Sequence, residues 1–337
     1  MHMTISKILK GVKPGKLQSV GYMQIIPLIS DIVDNKFSPP NEIYTATSNY
    51  GTLEVENRGK SMTILPFGAG ILTEKAAQNH AAPITKLLDT NKRVRIDTAA
   101  CIQQTQGGLI QSGKHTMTIL PWSLKEAAIM TKDVRSYNKL WPAITQFNDQ
   151  LGLMRTGHLE LYLKKFKDEL QTFIAEFEIV PNQVGAIIIM NGNVVGIERA
   201  PNYEFWKEIW KPLIRECYGS LAITYAKDDE KNPIPPKTRV PLKSTGIKSI
   251  SDIRKALKTA NDIEEKTIKN IIRSFLNEKF QSKIEQTKND TSVESIENKQ
   301  FRGQIVKRDE FIAYASLVTR DYWFKNKKHI EADDFKI

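Results

Sequence analysis

The segment 184–198, VGAIIIMNGNVVGIE, constrains the fold of this chain more than any other part of its sequence. Two runs of mostly β-branched side chains flank Asn191–Gly192. Asn and Gly both adopt the positive φ angles that a two-residue type I′ turn requires, so this pair favours a tight reversal of the chain. The segment therefore predicts a β-hairpin.

The order of the other patterns predicts the fold class. Alternating apolar and polar residues favour strands at 24–29, 44–57, 61–73, 93–103 and 116–122. After residue 122 the period changes to 3.6, which predicts a helix that begins with a Ser123–Glu126 capping box and, after an interruption, continues towards 151. Further helices are expected at 158–177 and 203–225. Runs of strands followed by runs of helices indicate an α+β fold with a largely antiparallel sheet and a helical middle section.

The C-terminal third is more polar and suggests a division of the chain. Residues 227–249 contain four prolines and predict an extended connector. Basic helices are expected at 251–259 and 262–285, a loop or disordered stretch at 287–300, and closing strands between 304 and 319. We expect an N-terminal arm at 1–20, a main domain at 21–226 plus 301–319, a basic helical insertion with its connector at 227–300, and a tail at 320–337. A separate C-terminal domain is the alternative.

Composition excludes several classes of protein. The chain has 337 residues, of which 40% are hydrophobic, and this supports a packed globular core. Its two cysteines, Cys101 and Cys217, stand outside any CxxC or Cys/His cluster, which argues against a structural zinc site and suits a reducing compartment. The sequence shows no secretory signal and no run of ~18 apolar residues. We therefore expect a cytoplasmic protein without a membrane partner.

The net charge of +11 is compatible with binding to a polyanion. Basic residues of the predicted insertion are the candidates for nucleic-acid contacts: Lys255, Lys258, Lys266, Lys269, Arg273 and Lys279. A lysine-rich surface that only confers solubility has the same composition, and both interpretations stay open.

The densest set of chemically useful side chains lies within 61–103. His80 is a candidate for proton transfer, because a free imidazole titrates near neutrality. Cys101 is a candidate nucleophile if a nearby base lowers its pKa. The candidate ligand-binding residues are Lys75, Gln78, Asn79, His80, Gln103 and Gln104. The alternative is structural: Asn and His satisfy backbone groups in a loop, and Cys101 is a small buried residue at the end of an apolar strand.

No motif identifies a cofactor. The segment 103–108, QQTQGG, lacks the pattern of a phosphate-binding loop, and Gly68–Ala69–Gly70 lacks the third glycine of a dinucleotide fingerprint. The cofactor therefore stays unknown.

Several segments together resemble the ARPP domain family, which is named for its association with ADP-ribosylglycohydrolases and rhodanese-like phosphatases. They are TLEVEN at 52–57, Gln78–Asn79, the strand that ends in Cys101, QVGA at 183–186 with the NGNVVG hairpin, and PNYEFWKEIWKPLIRECYGSLA at 201–222. The resemblance covers about 20–226 and 301–318. It implies nucleotide or ADP-ribose processing in a biological conflict system.

Two departures from the family pattern bear on that chemistry. The family's loop reads G-x-K-Q-N-R, whereas this chain has Ala77 and His80 at the two basic positions. Gln103 stands where the family has the acid of Cys-x-Glu, and a neutral amide cannot exchange a proton near pH 7. We therefore expect a binding or structural protein that contacts a protein partner, or itself, through its basic insertion and aromatic tail. The alternatives are an enzyme acting on nucleotides, ADP-ribose derivatives or RNA ends, and a nucleic-acid-binding protein.

Overall fold

The computed structural model describes residues 3–32, 34–73, 77–105, 107–234 and 249–320, and it has the predicted α+β fold. The strands before the helical middle section are β1 (Met3–Thr4), β2 (Lys13–Pro14), β3 (Gln18–Val20), β4 (Met23–Ile29), β5 (Phe37–Ser38), β6 (Ile43–Ala46), β7 (Leu53–Asn57), β8 (Met62–Leu65), β9 (Ala69–Leu72), β10 (His80–Ala81), β11 (Lys86–Leu88), β12 (Arg93–Ile96), β13 (Ala100–Cys101), β14 (Gly113–Lys114) and β15 (Thr116–Ile119). The later strands are β16 (Gln183–Met190), β17 (Asn193–Arg199), β18 (Lys279–Lys288), β19 (Thr291–Glu297), β20 (Phe301–Arg308) and β21 (Phe311–Thr319).

The α-helices are interspersed with these strands along the chain. They are α1 (Ile5–Ile8), α2 (Trp122–Met130), α3 (Trp141–Gln150), α4 (Glu160–Lys165), α5 (Lys167–Ala175), α6 (Tyr203–Trp210), α7 (Gly219–Lys231) and α8 (Ile250–Phe275). A 3₁₀ turn spans Pro40–Glu42, and a π-helix at Lys211–Tyr218 joins α6 to α7.

The predicted hairpin lies within a ten-stranded antiparallel sheet. The strand order is β1-β18-β19-β20-β21-β17-β16-β4-β2, with β3 also paired to β4. Between β16 and β17, Asn191 and Gly192 have φ angles of 44° and 79°. These angles confirm the turn that the Asn–Gly pair predicts.

Both faces of this large sheet are covered. The α6–π–α7 segment packs on one face, where Trp206 and Tyr218 are fully buried against β16 and β21 side chains. On the other face, α1 and α8 contribute Ile5, Ile268 and Phe275 to a second apolar cluster. Every residue of β16 is consequently buried, which explains its continuous apolar run.

Three smaller sheets form beside the large one. Their orders are β13-β10-β9-β15, β11-β8-β5 and β12-β7-β6-β14, and β5 pairs with β8 in parallel. The first of them places the short strand β10 between β9 and β13. This arrangement positions the candidate site.

The region after residue 249 differs from the prediction. A single helix, α8, replaces the two expected basic helices, because no Pro or Gly interrupts 250–275. Strands β18 and β19 replace the end of the second helix and the expected loop at 287–300. Their sequences are too polar to predict strands, and pairing with β20 determines their conformation. The closing strands β20 and β21 are confirmed.

The helical middle section also differs in detail. Helix α2 begins at Trp122 after Pro121, so the prediction that a Ser123–Glu126 capping box begins this helix is wrong. The predicted helix at 158–177 is divided into α4 and α5 at Phe166, and the one at 203–225 contains the π-helix. Pro212 lies in the first turn of that π-helix and lacks the N–H of a regular α-helical bond.

Strand pairing and one buried arginine hold the N-terminal segment. Strand β1 pairs with β18, and β2 pairs with β4. The Arg199 guanidinium donates hydrogen bonds to the carbonyls of Ile8 and Lys10 at 2.5 and 2.9 Å, at the end of α1. The expected division of the chain into arm, domain, insertion and tail stays a prediction, and 235–248 and 321–337 lie outside the described residues.

No helix within the described ranges has both the length and the apolar character needed to cross a membrane.

Candidate functional site

Two of the candidate residues, His80 and Cys101, pair with each other across two neighbouring strands. His80 on β10 lies opposite Cys101 on β13, and the imidazole Nε2 is 3.3 Å from the Cys101 Sγ. The Nδ1 atom of His80 is 2.8 Å from the Gln78 carbonyl oxygen, which can only accept a hydrogen bond. Nδ1 is therefore the protonated nitrogen, and Nε2 is free to accept from the thiol and from the Gly51 N–H at 3.4 Å.

Burial keeps both partners of this pair neutral. His80 and Cys101 are both 0% exposed. Desolvation lowers the pKa of His80 to about 4, although the hydrogen bond to Gln78 opposes this shift. Desolvation also raises the pKa of Cys101 to about 11. A thiolate–imidazolium pair, which a cysteine nucleophile needs, is therefore strongly disfavoured at neutral pH.

Gln78 uses its side chain to hold the loop that follows β13. Its side-chain amide donates to the Gln103 carbonyl, and its Oε1 accepts from the Gly107 N–H at 2.9 Å. The Gln78 backbone N–H donates to the Gly108 carbonyl at 2.8 Å. Because Gln78 is completely buried and bonded in this way, its amide stabilises the protein rather than facing solvent.

Asn79 connects β9 to α4. Its Oδ1 accepts from the Thr73 N–H at 2.9 Å, and its Nδ2 donates to Glu160 Oε1 at 2.5 Å. The Asn79 N–H lies 3.4 Å from Gln103 Oε1, so the Gln103 side chain also belongs to this local network. Asn79 is only 2% exposed, and internal groups use its hydrogen-bonding atoms.

The remaining predicted ligand-binding residues are not all near this pair. Gln104 is directed to the loop before α4, where its Oε1 accepts from the Gly157 N–H at 2.7 Å and the Thr156 hydroxyl at 2.8 Å. Lys75 lies outside the described residues. The structure thus brings together Gln78, Asn79, His80, Cys101 and Gln103.

An open cleft lies beside this network. Its volume is about 810 Å³. The lining combines apolar, hydroxyl and basic side chains with a glycine-containing loop: Leu72, Thr73, Ala77, Gly108, Leu109, Ile110, Gln111, Ser112, Lys114, His115 and Thr116. His80 and Cys101 do not belong to this lining, so the cleft and the cysteine–histidine pair are separate features.

A second buried polar centre, which no sequence motif predicted, surrounds Lys125. The Lys125 Nζ lies 3.1 Å from Glu198 Oε1 and donates to the Ser316 hydroxyl at 2.7 Å. The Tyr218 hydroxyl donates to the same Glu198 oxygen at 2.7 Å. Gly196 makes this contact possible, because a Cβ there would lie 1.8 Å from the Tyr218 hydroxyl oxygen. None of these four side chains is more than 2% exposed.

The predicted nucleic-acid contacts lie on the surface of α8 and at the start of β18. All six side chains are exposed. At 100° per residue, the five that lie on α8, between Lys255 and Arg273, share one side of the helix. Lys269 forms an ion pair with Glu265 at 2.5 Å. The acidic residue Asp262 lies between the basic residues Lys258 and Lys266 along the helix.

The fold and the site define an α+β protein in which two short neighbouring strands carry a buried, neutral Cys–His pair beside an open cleft. A family model described as ARPP-1, the ARG and Rhodanese-Phosphatase-superfamily-associated Protein domain, matches residues 11–317. The chain belongs to this family, as the sequence resemblance indicated. Searches of curated proteins and of solved structures found no match.

Proposed function

We propose that this protein is a binding and assembly protein that keeps the family scaffold and contacts a second copy of itself through α8. The observation that carries the proposal is an exposed apolar stripe on the first half of that helix. Ile250, Ile253 and Leu257 are 71%, 41% and 43% exposed. Apolar side chains grouped on one exposed surface are typical of an interaction site.

The stripe continues a face that the same helix buries further along. Glu264, Ile268 and Phe275 follow at helical spacing, and all three are buried against the rest of the chain. At 1.5 Å per residue, the first half of α8 presents about 20 Å of this face without cover from the described residues. A partner helix or sheet would bury it in the same way.

The buried residues of the candidate site support a structural role rather than chemistry. His80 and Cys101 are held neutral by burial, and the amides of Gln78 and Asn79 are bonded to internal groups. These residues shape the protein beside the cleft. We infer that an assembly function does not require them to exchange protons.

The test is sedimentation velocity of the full-length protein and of an Ile253→Asp/Leu257→Asp variant, with absorbance recorded at 260 and 280 nm. We expect a discrete multimer free of nucleotide absorbance for the parent, and a monomer with unchanged circular dichroism for the variant. Met154→Asp is the matched control, because Met154 is 73% exposed on another surface. Removal of 320–337 tests the proposed contribution of the tail. A monomeric parent, or a multimer that survives the double substitution, contradicts the proposal.

Nucleic-acid binding is the second candidate, because the basic side chains of α8 share one side of the helix. It predicts an affinity that falls steeply with salt, with a slope of about −0.9 per phosphate contacted on duplex DNA. Lys255→Glu/Lys258→Glu/Lys266→Glu should abolish binding, whereas Lys165→Glu/Lys167→Glu on another exposed surface should preserve it. Equal binding by both variants excludes this interface.

A further inference from the structure

A second cavity lies on the face of the large sheet that α1 and α8 cover, between the N-terminal segment and α8. Its volume is about 300 Å³, at the lower end of the range typical of small-molecule sites. Three layers supply its apolar walls: Leu9, Val12, Pro14, Gly15 and Leu17 from the N-terminal segment; Ile26, Leu28 and Ile187 from the sheet; and Ile268, Ile272 and Leu276 from α8 and its end.

The walls of this cavity are incompletely covered. Leu9, Val12, Leu17, Ile272 and Leu276 pack against the apolar cluster of this face but stay only partly buried. Apolar surface left in contact with water is unfavourable. The apolar walls also offer few partners for ordered water. An apolar group of matching length would complete the packing.

One side of the cavity carries charge. Glu265, Lys269 and Arg273 lie four residues apart along α8 and all belong to the lining. Glu265 and Lys269 form an ion pair with each other at 2.5 Å. Arg273 is exposed and has no ion pair with any residue in the part of the chain that the structure describes. The lining therefore has an excess of one positive charge, and a planar guanidinium is suited to bind a carboxylate.

We propose that this cavity binds a linear fatty acid, with its alkyl chain between the sheet and α8 and its carboxylate at Arg273. A volume of 300 Å³ holds on the order of ten water-sized groups, so a chain of about ten carbons fits. This site is independent of the apolar stripe and of the cleft beside Gln78. The remaining rim charges, Glu265 and Lys269, neutralise one another.

The test is isothermal titration calorimetry of the full-length protein with sodium decanoate and sodium hexanoate, each below its micelle-forming concentration, and with decan-1-ol below its solubility limit. We expect saturable binding of one decanoate per chain. The affinity should fall about fourfold for each methylene removed. Decan-1-ol should bind about tenfold or more weakly than decanoate, because it cannot form the charged hydrogen bonds.

Two variants and one control locate the site. Arg273→Gln should weaken decanoate about tenfold and leave decan-1-ol unchanged, whereas Leu17→Trp should fill the cavity and remove both. Arg254→Gln, an exposed arginine on the first half of α8, should have no effect. The proposal is overturned if decanoate does not saturate, if Leu17→Trp binds it as well as the parent, or if Arg273→Gln and the parent bind it equally.

Discussion

The His80–Cys101 pair and the Lys125–Glu198 pair are both excluded from water, but they meet the cost of burial differently. His80 and Cys101 have only neutral hydrogen-bonding partners, and desolvation shifts each pKa towards the uncharged form. Lys125 instead lies 3.1 Å from Glu198, and hydroxyl groups complete the contacts of both side chains. Proximity of reactive side chains is therefore insufficient to predict chemistry, because the surrounding groups determine which protonation state is stable.

The comparison also separates two contributions to stability. The ion pair connects α2 to β17 and β21, which are distant in sequence, whereas the Cys–His pair connects two short neighbouring strands. Removal of one member of a buried ion pair leaves an unpaired charge in the core. Removal of one member of the neutral pair leaves only an unsatisfied polar atom.

The largest expected effect follows from breaking the ion pair. Lys125→Met should reduce the free energy of unfolding by about 3–5 kcal/mol, because it leaves Glu198 buried and unpaired. Urea denaturation followed by circular dichroism measures this loss. The double variant Lys125→Met/Glu198→Gln should recover part of it. The control is Lys207→Met on an exposed ion pair, which should leave the stability almost unchanged. Equal losses for Lys125→Met and Lys207→Met would contradict the role of the buried pair.

A smaller effect is expected from the pH dependence of His80. The unfolded chain takes up a proton on this residue near pH 6.5, and the folded protein only near pH 4. Since the unfolded state binds more protons between these values, stability falls as the pH falls. Between pH 7 and pH 5 this residue should account for a loss of about 2 kcal/mol.

Urea denaturation at the two pH values measures this loss. His80→Gln keeps a donor and an acceptor but cannot titrate, so its stability should change less over the same interval. His115→Gln, which alters a partly buried histidine outside the Cys–His pair, should behave like the parent. The interpretation of His80 is wrong if His80→Gln and the parent lose equal stability.

The smallest effect concerns the thiol. Cys101→Ala should cost about 1 kcal/mol of stability and leave assembly unchanged. At pH 7 a thiol with a pKa of about 11 is ~10⁻⁴ ionised, so alkylation of native Cys101 by iodoacetamide should be very slow. Mass spectrometry of the labelled protein checks this, with the urea-unfolded protein as the reactive control. Rapid alkylation of Cys101 in the folded protein would indicate a lowered pKa and a nucleophile.

Local sequence signals predicted the central elements of the fold. The Asn191–Gly192 turn and its flanking β-branched runs depend on neighbouring residues only, and the structure has this hairpin. The α+β class followed from the change of period near residue 122. Strands β18 and β19 could not be predicted in this way, because their polar sequences become strands only by pairing in the large sheet.

The His80–Cys101 pair and the Lys125–Glu198 pair also differ in how far local sequence could predict them. His80 and Cys101 lie within one segment of 61–103, but no strand was predicted at 80–81, so their pairing across β10 and β13 could not be inferred. Their burial and charge state depend on the packing around them and were not predictable. Lys125, Glu198 and Ser316 lie far apart in the sequence and match no motif. The available signals were a lysine in an apolar helix and a glutamate ending an apolar strand.

The imidazole ring of His80 provides the most direct test of a buried, neutral Cys–His pair. Its titration can be followed by ¹H–¹³C nuclear magnetic resonance of the parent protein, with His80→Gln identifying the signal. The structure predicts an imidazole protonated only at Nδ1, with no titration until the pH approaches about 4. A midpoint near 6.5 or above, or an imidazolium at neutral pH that disappears in Cys101→Ala, would contradict this account and restore a catalytic pair.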